Sequence, residues 1–307
     1  MKKEILYSLK SPYRDNLDVI GCRFGSGKKS VAIVGATRGN EIQQMYICSQ
    51  LVRTMKRLEK TGKISPNCEI LIIPCINYYS MNIGKRFWTM GNTDINRMFP
   101  GYDQGETTQR IADGVFRKLE GYEYGIQLVS FYQTGNFLPH VKLMETGFTD
   151  PADMERFGLK YGIVRKPRPY DTTTLNYNWQ IWETKAFSVY SNETSGIDDV
   201  SCSEVVAAIL RFMYSIGAIT EKSVPGYKTE IINESDIYQI RSSAGGIFRA
   251  DVPTGSPVEQ GQVIGRIIDP IDGETISQIT TEYAGTVFFE YNQPLINEST
   301  MCFKIIV

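Results

Sequence analysis

Arg38 and Glu41 stand three residues apart in "GATRGNE" (35–41), directly after the apolar run "SVAIVG" (30–35). An arginine side chain is a permanent planar cation whose donors match a carboxylate, so at this spacing Arg38 can pair with Glu41 where a helix begins. Asn96 and Arg97 in "NTDINRMFPG" (92–101) add an amide and a second guanidinium, and Arg86 in "GKRF" adds a third. "SFYQTG" (130–135) contributes Ser130 and Tyr132, and "SVYSNETSG" (188–196) contributes Glu193. Cations interleaved with carboxylates suit the binding of a small anion, and a loop glutamate suits general-base work. The chain has one histidine, His140, so a site built on two histidines is arithmetically impossible within it. No "GxSxG" elbow supports a serine hydrolase using His140 as base.

The elements that must position these residues alternate between strand and helix. From Glu41 to Leu58 the apolar residues Ile42, Met45, Cys48, Leu51 or Val52, Met55 and Leu58 recur with the helical period. "EILIIPCIN" (69–77), "IQLVSFY" (126–132) and "KAFSVYSNE" (185–193) read as strands, and 107–121 and 203–217 as helices. The chemistry-bearing stretches then fall at the carboxyl ends of strands, where open α/β sheets build their sites. "LNYNWQIWE" (175–183), with its alternating aromatics, reads as a strand or pocket wall, and "GCRFGSGKKS" (21–30) as a hairpin turn without the glycine spacing of a phosphate loop. After about residue 222 short strands separated by glycine turns predict a small all-β module. The expected organisation is therefore an α/β domain over 1–222 with a mostly parallel sheet, and a β domain over 223–307.

At 307 residues, 42% hydrophobic, the chain is long enough for two cores, and a net charge of -1 gives no reason to expect nucleic acid or an anionic membrane as partner. "MKKEILYSLK" lacks a signal-peptide core and no apolar run reaches membrane length, so a cytoplasmic protein is expected. The six cysteines are scattered without a CxxC pair and read as reduced core residues.

In order, spacing and flanking residues, "GATRGNE", "NRMFPG", "SFY" and "ETSG" resemble the aspartoacylase and succinylglutamate desuccinylase family, relatives of the zinc carboxypeptidases. The resemblance covers essentially the whole chain. It implies a zinc-carboxypeptidase-like mixed sheet with helices on both faces, a C-terminal β domain partly covering the site, and zinc-dependent hydrolysis of N-acyl amino acids. The family's first zinc histidine corresponds to Arg38, and the accompanying zinc glutamate is kept as Glu41. The second zinc histidine corresponds to Tyr132, and the aspartate before it to Ser130. Asn96 and Arg97 match the substrate-carboxylate motif, Arg86 the arginine that polarises the scissile carbonyl, and Glu193 the general base.

A catalytic zinc needs three protein ligands and an open position for water, whose pKa it lowers to about 7. Two of the three ligands are replaced here. A lone general base supplies roughly 100- to 10,000-fold, too little for amide hydrolysis. The expectation is a degenerate member in which zinc is absent or unorthodoxly held. It would keep a pocket for a small carboxylate such as an N-acyl amino acid or a peptide terminus, lined by Arg38, Arg86, Asn96, Arg97 and Tyr132. The alternative is a working amide hydrolase with metal on Glu41, Tyr132 and a residue from a partner chain. The oligomeric state is left open.

Overall fold

The computed structural model describes residues 1–11, 15–192 and 196–307. In chain order the strands are β1 (Lys2–Leu9), β2 (Leu17–Gly25), β3 (Lys28–Ala36), β4 (Cys68–Cys75), β5 (Tyr124–Val129), β6 (Asn136–Phe137), β7 (His140–Met144), β8 (Tyr161–Arg165), β9 (Lys185–Tyr190) and β10 (Glu230–Asn233). They are followed by β11 (Ile237–Arg241), β12 (Gly246–Ala250), β13 (Pro257–Val258), β14 (Val263–Ile268), β15 (Thr275–Thr280), β16 (Gly285–Glu290), β17 (Leu295–Ile296) and β18 (Met301–Ile306). The helices are α1 (Ile42–Lys60), α2 (Tyr78–Met81), α3 (Thr107–Leu119), α4 (Leu175–Ile181) and α5 (Asp199–Ser215). No helix among the described residues is long and apolar enough to cross a membrane.

The first unit, Met1–Ser130 with Pro139–Ile231, holds a nine-stranded mixed sheet in the order β1-β2-β4-β3-β5-β9-β7-β8-β10. β4, β3, β5 and β9 run parallel, while β2 joins β4, and β7 joins β9, antiparallel. Strands buried on both faces need no hydrophobic alternation. Accordingly Val31 and Ile33 of β3 pack with Ile47 and Leu51 of α1 and Val205 and Ile209 of α5, whereas Ala32 and Val34 pack with Ile111 and Val115 of α3 and Trp179 of α4. The strand order reverses beside β3, since the chain leaves it for β4 on one side and reaches β5 on the other. Such a switch point leaves a crevice at the carboxyl ends of the strands.

The second unit, Phe131–Leu138 with Ile232–Val307, has its own core of Ile264, Ile267, Val287, Phe303 and Ile305. Its sheets are β11-β18-β16-β13, which β6 joins through β16, and β15-β14-β12-β17. The division differs from a boundary at 222. The segment after Ala218 still belongs to the first unit, with Glu230 N bonded to Lys160 O, and residues 131–138 go with the β module because Phe137 and Asn136 pair with Phe289 and Glu290.

Three local expectations need correction. Residues 21–30 form no hairpin: β4 lies between β2 and β3, and Gly27 N bonds to Cys68 O. The turn therefore straddles an inserted strand, which the local sequence cannot reveal. The strand expected to reach Tyr132 ends at Val129. Residues 175–181 are helix α4, not a strand: Thr174 caps it by accepting from Tyr177 N, and Leu175, Asn178 and Trp179 bury the helical face. The period-2 alternation of aromatic and asparagine misled because the asparagines are buried too.

Candidate carboxylate site at the ends of β3 and β5

The turn from β3 into α1 is organised by Glu41. It sits at the N-cap of α1, where the helix dipole favours a carboxylate, but its side chain bonds backward to the turn. Oε2 accepts from Thr37 N at 2.9 Å, Arg38 N at 3.0 Å and Thr37 Oγ1 at 3.2 Å. Oε1 accepts from Ser130 Oγ at 2.6 Å and Arg38 Nη1 at 3.1 Å. Both oxygens of this fully buried carboxylate are taken by protein donors.

Arg38 does not point to solvent. Its Nε and Nη2 donate to Asp94 at 2.9–3.1 Å while Nη1 holds Glu41, so one guanidinium joins two carboxylates. The side chains of Arg38, Glu41 and Asp94 are 8%, 0% and 16% exposed. Burial pulls the guanidinium's pKa down, yet the charges of Glu41 and Asp94 outweigh it and hold Arg38 above the ordinary arginine value. Asp94 also fixes the next motif by accepting from Asn96 N at 3.0 Å, as the N-cap of the short 3-10 turn Ile95–Arg97.

Arg86 is arranged differently. Gly39 lets its segment approach: Gly39 N bonds to Arg86 O at 3.0 Å, and a Cβ at Gly39 would lie 2.2 Å from Lys85 O. The guanidinium meets only neutral acceptors, Asn40 Oδ1 and Ser130 Oγ, both at 3.3 Å, and forms no ion pair among the described residues. Burial and the nearby Arg38 cation lower its pKa, with Glu41 and Asp94 opposing. A half-buried cation with loose neutral partners is a ready anion site.

The structure thus brings together Arg38, Glu41, Arg86 and Asn96. Arg97 turns to other partners: its Nη1 donates to Tyr170 O and lies 3.8 Å from Asp171 Oδ1, with its charge over the Tyr170 ring. Tyr132 belongs to the second unit, where it is 71% exposed and its ring lies against Phe131. Glu193 lies outside the described residues. His140 is buried on β7 with its ring stacked on Tyr190, 4.6 Å between centroids. The sequence reading missed Asp94, Asn40 and Gln127. Asp94 carried a signal as a capping residue two positions before Asn96, and Gln127 as the polar residue in "YGIQLV"; Asn40 carried none.

Residues 27–133 match the family model described as the succinylglutamate desuccinylase/aspartoacylase catalytic domain. Over that stretch the chain is similar to the family's catalytic domain. The matched stretch runs from β3 past β5 and so contains Arg38, Glu41, Arg86, Asn96 and Ser130. The chain is 23% identical over 250 residues to the N-alpha-acetyl-L-2,4-diaminobutyric acid deacetylase of Halomonas elongata, covering 77% of this chain and 70% of that protein. Its fold is that of a succinylglutamate desuccinylase/aspartoacylase from Rhodobacter sphaeroides, with TM-score 0.78, 16% identity, and 95% and 89% of the two chains covered. It is also that of the product-bound ectoine utilization protein EutE (DoeB) from Ruegeria pomeroyi, with TM-score 0.81, 17% identity, and 99% and 94% covered.

The zinc that this family implies does not fit the residues described here. No group of three or more histidine, cysteine, aspartate or glutamate side chains that could hold a metal ion occurs among the described residues. Glu41 is engaged on both oxygens, and Arg38 places a permanent cation against it. A guanidinium offers donors only and cannot ligate a metal.

Proposed function

We propose that this protein binds a small carboxylate ligand of the N-acyl amino acid or peptide-terminus class and does not hydrolyse it through zinc. One observation carries the reading: the Arg38 guanidinium lies bonded between Glu41 and Asp94, while Arg86 beside it has no carboxylate partner among the described residues. The first supplies a fixed positive charge without ionising a water, so binding is supported and activation of a nucleophile is not. The second leaves a desolvated cation whose cost an incoming carboxylate would offset. The ligand class follows from the relative in Halomonas elongata, which by name acts on an N-acetylated amino acid.

The test is elemental analysis of protein purified without chelator or nickel, repeated after dialysis against zinc, with Glu41→Ala as control. Thermal unfolding with N-acetylated amino acids in the presence of chelator is measured alongside. The expected outcome is no stoichiometric metal in either protein and a ligand-dependent rise in the wild-type melting temperature, since a ligand at 100 times its Kd adds about 2.7 kcal/mol. Stoichiometric zinc in the wild type, lost in Glu41→Ala, together with chelator-sensitive release of acetate, would establish the alternative, an amide hydrolase with unorthodox ligation and Glu193 as base.

A further inference from the structure

We infer that Gln127 is a positioning residue that turns Asn96 to present its N–H donors to the ligand, so that the site selects a carboxylic acid over the corresponding carboxamide. The inference rests on the carboxylate-binding reading and adds the feature that sets its selectivity. Gln127 stands on β5 in the middle of the sheet, opposite Val34 of β3 and Ser188 of β9, and is 1% exposed. A buried amide is destabilising if its hydrogen bonds go unmade. The side-chain bond that Gln127 makes is from Nε2 to Asn96 Oδ1, at 2.7 Å.

That bond decides what Asn96 can offer. The side-chain amide of asparagine has one accepting and one donating end, and which end faces which neighbour follows from the surrounding network. With Oδ1 held by Gln127 and the backbone N held by Asp94, the Nδ2 group is left. It takes no acceptor among the described residues, and it is not among the polar atoms that are sealed from solvent without a partner. Buried Asn96 therefore shows its accessible face as a donor. Asp94 is in turn held by Arg38, so the donor is fixed to the same frame as the cations. A carboxylate accepts from such a donor, whereas a carboxamide satisfies it only through its oxygen and brings no charge to Arg86.

The experiment compares dissociation constants for N-acetylated alanine, glutamate and 2,4-diaminobutyrate, each beside its own carboxamide, by calorimetry on wild type and on Gln127→Glu. A glutamate carboxylate at 127 can only accept, so Asn96 must donate to it and present its oxygen to the ligand. Wild type is expected to prefer the acids by about tenfold or more, and in Gln127→Glu that preference should fall at least tenfold, toward or past equality. Equal weakening of acid and amide in the variant would overturn the positioning role while leaving carboxylate binding intact. Wild type binding none of the acids would overturn carboxylate binding and this inference with it. If Gln127→Glu does not fold, Gln127→Met, which frees Asn96 to rotate, should bring the acid-to-amide ratio several-fold toward one; an unchanged ratio would overturn the inference.

Discussion

The two halves of the site are built from the same kinds of residue and differ in saturation. Around Glu41 every charged group is bonded: Arg38 lies between Glu41 and Asp94, and Ser130 and the backbone of Thr37 and Arg38 donate to the Glu41 carboxylate as well. Around Arg86 no carboxylate is bonded among the described residues, and its bonds to Asn40 and Ser130 are long. The difference separates a cluster that holds the turn from the cation on which the proposed binding rests. A saturated cluster is committed to holding its turn in place, and an unsaturated cation retains free energy for a ligand.

The largest effect should come from breaking the saturated half. Removing one partner of a buried ion pair typically costs about 3–5 kcal/mol, because the remaining charge stays buried. Arg38→Met leaves two carboxylates facing each other and should lose about that much in denaturant unfolding. A loss under about 1 kcal/mol would mean that the cluster is wetter than its burial implies. Next comes Ser130→Ala, which deletes the 2.6 Å bond to Glu41 and should cost about 1.5–3 kcal/mol, as for hydrogen bonds to charged groups.

The open half should respond the other way. Arg86→Met is expected to change unfolding free energy by less than about 1 kcal/mol, since it removes a desolvated charge with neutral partners, yet to abolish the thermal shift produced by N-acetylated amino acids. If Arg86→Met destabilises as strongly as Arg38→Met, the contrast between the halves fails. Arg97→Ala tests whether the open half extends to Arg97. That side chain is 38% exposed and its Asp171 pair is long, so the stability change should stay within about 1 kcal/mol.

The smallest effect, and a reference for both halves, lies on the surface. Hydrogen bonds from Arg57 and Lys63 hold the Glu221 carboxyl at about 2, below its ordinary 4.5. A depressed carboxylate pKa stabilises the folded state above the unfolded value, and this contribution fades as pH falls from about 4.5 to about 2. Glu221→Gln should therefore leave a slightly shallower acid-side decline in melting temperature over that window, and the same decline as wild type above it.

Much of the framework was legible in the chain itself. The strand and helix at 30–58 appear as β3 and α1 because apolar period and burial coincide there, and "NRMFPG" and "GATRGNE" carry the resemblance to the family. The helix at 175–181 was not legible, because its buried asparagines look polar in sequence while Asn178 is bonded to Phe99 O and Thr172 O inside the fold. The place of β4 between β2 and β3 was hidden as well, since strand order depends on partners distant in the chain.

By itself the sequence determined that the chain holds a single histidine, that an arginine stands three residues before Glu41, and that an asparagine–arginine pair lies just after an aspartate. Residue type and spacing are enough for such statements, because they concern which atoms exist. Only the tertiary structure decided which of those atoms meet: Arg38 reaches Asp94, 56 residues away, Ser130 reaches Glu41, and Gln127 reaches Asn96. The Ser130–Glu41 bond joins the ends of β5 and β3, neighbours at the switch point of the sheet. No local pattern encodes that adjacency; it comes from burying both faces of the sheet beneath helices.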